Sequence, residues 1–124
     1  MTQRIIVVDN DPHVLFVLRH TVAGLGNDYE IVASTEAATA LEELQKHHAD
    51  LIITDIFMEG MDGIELTERV REVTDDIPVI WITAHGCHRL VTKVEDLRVF
   101  RCLDKPLTIS EIRRVAREAL GVQA

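Results

Sequence analysis

Two aspartates bracket an asparagine in "VVDNDP", Val7 to Pro12, directly after an apolar run. A third aspartate, Asp55, closes the run "LIIT". Thr83 closes "VIWI", and Lys105 follows "CLD". One such residue at the end of an apolar run is weak evidence, because an aspartate there more often caps a helix. Together, in this order, they form a set suited to phosphoryl transfer. A carboxylate can be the nucleophile and yield an acyl phosphate. Crowded carboxylates repel one another, and a hard cation such as Mg²⁺ relieves that with one or two carboxylates, phosphate and waters as ligands. The transferred group has three outer oxygens to satisfy. A metal, an ammonium, a hydroxyl and backbone N–H groups can do so.

Such chemistry needs elements that bring the residues to one edge. "RIIVV" (4–8), "YEIVA" (29–33), "DLIIT" (50–54), "PVIWIT" (78–83) and "VFRCL" (99–103) are short apolar runs of the kind found in buried strands. Helical spacing follows each. Asp11 and Pro12 stand as N-cap and N1 of a helix with Val14, Leu18, Val22 and Leu25 inward, ended by Gly24 or Gly26. Ser34 or Thr35 caps a second helix with Ala37, Leu41 and Leu44 inward. Ile64, Leu66, Val70 and Val73 mark a third, after a loop punctuated by Gly60 and Gly63. Leu90, Val94 and Leu97 mark a weaker fourth. Thr108 and Glu111 form a capping box before a fifth, with Ile109, Ile112, Ala116 and Ala119 inward. Five strands alternating with five helices predict an α/β fold, with a parallel sheet, right-handed crossovers and helices on both faces. In an open parallel sheet the site lies beyond the carboxyl ends of the strands, where Asp9, Asn10, Asp11, Asp55, Thr83, Asp104 and Lys105 collect.

At 124 residues the chain is expected to be one domain, 1–124, with an adequate core. No apolar run approaches the roughly 18 residues of a membrane span. "MTQRIIVV" lacks a signal-peptide pattern. The expectation is a cytoplasmic protein with no membrane association. Residues 1–85 carry 16 acidic and 5 basic side chains, whereas residues 86–124 carry 5 and 8. The acidic majority argues against direct nucleic-acid binding. The basic excess is either charge balance or a partner face.

The motifs "VVDNDP", "DLIITDIFMEGMDGIEL", "VIWITAHG" and "LDKP" resemble, in order and spacing, the receiver domain of bacterial response regulators. The resemblance covers essentially the whole chain and implies a flavodoxin-like, doubly wound sheet of strand order 2-1-3-4-5. It implies that Asp55 is the phosphoacceptor. It sets Asp9, Asn10, Asp55 and the backbone carbonyl of Phe57 at the Mg²⁺ site, and Thr83 and Lys105 on the phosphate. Pro106 matches the family's Lys-Pro, often a cis peptide. Phe57 and His85 are expected to flank the phosphate and set its lifetime. The implied donor is a histidine kinase or a histidine phosphotransfer protein, engaged near the first helix and the loop after Asp55. The implied output is an effector protein, a fused domain or a homodimer partner. Its contact face is the fourth helix, fifth strand and fifth helix, where Arg89, Lys93, Arg98, Arg101, Arg113, Arg114 and Arg117 lie.

Several positions depart from the family pattern. Asn10 replaces the second acid, Glu59 stands where proline is usual, and Cys102 holds the place of the rotating Tyr or Phe. A Cys is expected to change its packing only slightly, leaving Thr83 and the segment 84–90 to carry the signal. Cys87 and Cys102 are too few for a disulfide framework. They fall near each other in such a fold, but a cytoplasmic redox pair is not expected. "HGCH" (His85 to His88) lacks further ligands at zinc spacing. Trp81 is expected in the core. Two other readings stand beside the main one. One is a receiver-like module that binds partners without phosphorylation. The other is a haloacid-dehalogenase-like phosphohydrolase, with Asp9 as nucleophile and Asp11 as acid/base. That family needs an acidic pair after the lysine, and only Glu111 and Glu118 follow, on the last helix.

Overall fold

The computed structural model describes residues 2–121. Its strands are β1 (Gln3–Val8), β2 (Tyr29–Ser34), β3 (Leu51–Asp55), β4 (Val79–Thr83) and β5 (Arg101–Asp104). Its helices are α1 (Pro12–Ala23), α2 (Ala37–Lys46), α3 (Gly63–Val73), α4 (Val91–Asp96) and α5 (Ile109–Ala119), with a 3₁₀ turn over Cys87–Leu90 before α4. All pairings are parallel, in the order β2-β1-β3-β4-β5. This is the flavodoxin-like arrangement.

The sheet divides the core in two. One side packs Ile6, Val8, Ile52, Val79 and Trp81 against α2 and α3. The other packs Ile5, Val7, Ile53, Ile80 and Ile82 against α1 and α5. Adjacent residues of one strand alternate between the two clusters, which is why the runs are apolar throughout. The fully buried Trp81 donates its Nε1–H to Thr67 Oγ1 at 2.8 Å, so its one polar group is satisfied.

Local signals held at both ends of the chain. Asp11 Oδ1 accepts from the His13 N–H at 2.9 Å with Pro12 opening α1. Thr108 Oγ1 accepts from the Glu111 N–H at 3.1 Å. Three expectations need correction, while the fourth helix is as weak as its spacing implied. The N-cap of α2 is Glu36, without a side-chain cap bond, while Ser34 Oγ, two residues before it, accepts the N–H of Glu36 itself. Ile109 and Val73 are more than half exposed, and Val115 fills the buried place in α5. The fourth helix is a 3₁₀ turn plus six helical residues, none of them fully buried. Arg113 does not project from a free face. Its Nε–H donates to the Thr21 carbonyl at 3.0 Å, closing the C-terminal end of α1.

Candidate functional site

Register brings the chemistry together. Val8 pairs with Thr54, Asp55 with Ile82 and Thr83 with Asp104, so four strands end at one level. Asp9 and Asp55 leave the middle of the sheet there and are both buried. Lys105 enters from the end of β5. Its Nζ lies 3.3 Å from Asp55 Oδ2 and 3.5 Å from Asp9 Oδ2. One ammonium thus bridges two carboxylates. The Lys105–Pro106 peptide is cis.

Each member is held by backbone. Asp9 Oδ1 accepts the Asp11 N–H at 2.9 Å, while Asp9 Oδ2 is buried without a hydrogen-bond partner. Burial raises the Asp9 carboxyl above the ordinary carboxylate range. The Asp11 N–H opposes that shift, the charge of Asp55 adds to it, and Lys105 opposes it. The Asp55–Ile56 backbone is fixed from both sides. The Ile56 N–H donates to the Ile82 carbonyl at 3.1 Å, and the Gly63 N–H donates to the Ile56 carbonyl at 2.9 Å. A Cβ on Gly63 would run into the Asp55 carbonyl oxygen and the Ile56 Cα, so only glycine allows this approach. Thr83 is fully buried and its Oγ1 accepts the His85 N–H at 3.0 Å. The Lys105 N–H donates to the Thr83 carbonyl at 2.8 Å, linking β4 to the lysine.

The other expected residues lie at the rim. Asn10 is exposed and shares an opening with Phe57, Met58, Glu59 and Asp62. Phe57, half exposed, meets the ring of His85 edge-on, with centroids 4.3 Å apart. Asp11 spends its carboxylate on the α1 cap, which leaves it badly placed as an acid/base partner for Asp9. Beside Lys105 an apolar groove of about 320 Å³ runs between α1 and the start of α5. Val14, Val17, Pro106, Leu107 and Ile109 line it.

One expectation about the cysteines is overturned. Cys87 and Cys102 are joined by a disulfide, with Cα atoms 5.8 Å apart. Cys102 is therefore tethered to the segment 84–90 and is not an independent small side chain. Asp104, expected at this edge, turns out to brace the same segment, its Oδ1 accepting the Cys87 N–H at 2.8 Å. Only the pairing of β4 with β5 brings these residues together, so no local signal could have revealed them. Among the described residues no group of three His, Cys, Asp or Glu side chains is placed to hold a metal. Mg²⁺ needs fewer, since it takes one or two carboxylates with neutral oxygens.

A family model described as "Response regulator receiver domain" matches residues 5–117. Sporulation initiation phosphotransferase F of Bacillus subtilis is 27% identical over 124 residues, covering 100% of this chain and 98% of that protein. A segment of the sensor histidine kinase RcsC of Escherichia coli is 32% identical over 110 residues, which is 89% of this chain and 11% of the kinase. The chain thus spans only a small part of some curated relatives. Among solved structures, the signal receiver domain of an HD domain-containing protein from Pseudomonas fluorescens superposes with a TM-score of 0.88 at 25% identity, covering 98% of this chain and 96% of that one.

Proposed function

The chain belongs to the family of response regulator receiver domains, and from that premise we propose that it accepts a phosphoryl group onto Asp55 from a phosphohistidine donor. The observation that carries this reading is Lys105 Nζ, 3.3 Å from Asp55 Oδ2 and 3.5 Å from Asp9 Oδ2. An ammonium parked between two carboxylates is where a phosphoryl oxygen of a phosphorylated Asp55 needs a positive partner. In this reading an Asp55 carboxylate oxygen attacks phosphorus. The P–N bond to the donor imidazole breaks and an acyl phosphate forms. Lys105 pairs with one phosphoryl oxygen. The Thr83 hydroxyl turns from the His85 N–H to donate to another.

Mg²⁺ fits the donor set. Asp9 Oδ2 is a buried acceptor without a hydrogen-bond partner, which a hard cation satisfies. Asp9, Asp55, the Phe57 carbonyl and the amide oxygen of Asn10 are the residues that would hold it. The cation supplies charge neutralisation for the transferred group. Asn10 brings no charge. Restoring one with Asn10→Asp is expected to tighten Mg²⁺ binding roughly ten- to a hundredfold, the scale of one extra carboxylate at an effective dielectric near 20. The groove between α1 and α5, with Phe16 and Val17 exposed beside it, supports that side as the docking place for a histidine kinase or histidine phosphotransfer protein. The α4-β5-α5 side is then left for an output protein, a fused domain or a second copy. Phe57 and His85, in contact at the rim, would govern water access and the lifetime of the phosphate. The domain acts in the cytoplasm, as a signalling partner that assists its own phosphorylation and dephosphorylation.

Intact-mass measurement after acetyl phosphate and Mg²⁺ treatment tests the reading. The expected result is one added phosphate on the wild type and none on Asp55→Asn. Labelling that persists in the mutant, or is absent from the wild type, overturns it. Absence would favour the phosphorylation-independent interaction module, which the neutral, exposed Asn10 already speaks for.

A further inference from the structure

We propose that Cys87 and Cys102 form a reversible thiol–disulfide site that decides how firmly α4 is anchored to the β5 edge of the sheet. Little apolar packing holds the N-terminal side of α4. Neither the 3₁₀ turn nor α4 contributes a fully buried residue. Only Leu90, Val94 and Leu97 rest, partly buried, against the core. Segments with few buried apolar contacts open at low free energy. The disulfide supplies what packing does not. It ties the first residue of the 3₁₀ turn to β5, at the position paired with Trp81 of β4. The Cys87 N–H bond to Asp104 reinforces the same strap. The chain between Thr83 and Cys87 is only Ala84, His85 and Gly86, and Gly86 has φ +92°. Any displacement that begins at Thr83 therefore reaches the tether within four residues.

The pair suits reversible chemistry. The Cα separation of 5.8 Å in the bonded form lies in the ordinary range for a disulfide. Both cysteines are half-buried. They line a shallow pocket on the surface with His88, Val91, Val94 and Glu95, through which a small thiol or disulfide can approach. The co-substrate class is a small-molecule disulfide, RSSR. One cysteine thiolate attacks a sulfur of RSSR, and RS⁻ leaves to take up the proton given up by that cysteine. The second cysteine thiolate attacks the protein sulfur of the mixed disulfide and expels the other RS⁻, which is protonated likewise. The two cysteines lose two electrons and two protons overall, which appear on two molecules of RSH. The reverse exchange opens the bond. A reversible pair is the form in which disulfides occur in reducing compartments.

The chemistry of the bond is independent of the phosphoryl reading, but its effect on signal output rests on that reading. In the oxidised form α4 is strapped to β5 and phosphorylation of Asp55 moves it little. In the reduced form the strap is open and α4 responds.

The protein is equilibrated in mixtures of oxidised and reduced glutathione, its free thiols are trapped by alkylation, and its mass is read. Two thiols that appear and disappear together are expected. A bond that never forms in the folded protein, or that never opens, overturns the site. Hydrogen exchange of residues 84–97 then compares the two redox forms, each with and without acetyl phosphate and Mg²⁺. Reduction is expected to speed exchange there about tenfold while leaving β1 and β3 unchanged. Cys87→Ser and Cys102→Ser should each behave as the reduced protein. Equal exchange of residues 84–97 in both redox forms overturns the anchoring role. Equal response of the two forms to phosphorylation overturns the gating role. The redox comparison is repeated on Asp55→Asn, so loss of phosphorylation and loss of the strap are read separately.

Discussion

The middle of the sheet and its α4-β5 edge are built to different standards. In β1 and β3 nearly every residue is fully buried and packs on both faces. In β5, four residues long, only Leu103 is buried. The edge depends instead on specific ties. Arg71 gives Nε–H to the Leu97 carbonyl at 2.8 Å, Nη1 to Ile77 at 2.8 Å and Nη2 to Arg98 at 3.0 Å. Cys87 is bonded to Cys102, and Asp104 holds the Cys87 N–H. Apolar burial is non-directional and cooperative, and it makes a strand rigid. Discrete polar or covalent ties can be released one at a time. The residues proposed for chemistry, Asp9 and Asp55, stand on the first kind of structure. The segment proposed to respond stands on the second.

The largest test of this contrast is a pair of truncations. Ile53→Ala is expected to cost about 4 kcal/mol, because it opens a cavity among residues packed on every side. Val94→Ala, on partly exposed α4, should cost about 1 kcal/mol. Chemical denaturation of both variants gives the comparison, and equal losses would break it. Next, Gly63→Ala should cost about 3 kcal/mol, since the new methyl meets the Asp55 and Ile56 backbone, which cannot yield as a side chain can. Recovery of stability by any larger residue there would show that the loop after Asp55 is softer than the packing indicates.

Arg71→Met should cost about 2 kcal/mol, the scale of three carbonyls losing charged donors at a part-buried site. Its signature is local: exchange of residues 97–100 should rise more than that of β1. The smallest expected effect is at Asp9. Its folded pKa is raised, chiefly by burial. An acid of that kind leaves stability intact below the ordinary carboxylate range and lowers it as pH rises through the folded value. Asp9→Asn, in the presence of a chelator, should therefore raise the melting temperature by a few degrees at pH 7. The gain should vanish in acid, below the usual Asp value. A gain that persists unchanged at low pH would assign it to something other than ionisation.

Much of this arrangement was legible in the residues alone. Continuous apolar runs ending in Asp9, Asp55, Thr83 and Lys105 specify buried parallel strands whose ends share an edge, because period and burial are local properties of the chain. The caps at Asp11 and Thr108 were legible for the same reason, since each bond spans two or three residues. Periodicity misled at Ile109 and Val73, where spacing places a side chain on a helix face but cannot say whether a neighbour covers it. The weak fourth helix was read correctly as weak, yet what compensates for it was not. Arg71 reaches carbonyls up to 27 residues away, Arg113 closes a helix 92 residues earlier, and Cys87 meets Cys102 across a strand pair. Such contacts depend on which strand lies beside which and on the direction a side chain leaves its helix. Those are set when the sheet assembles, and no window of sequence carries them.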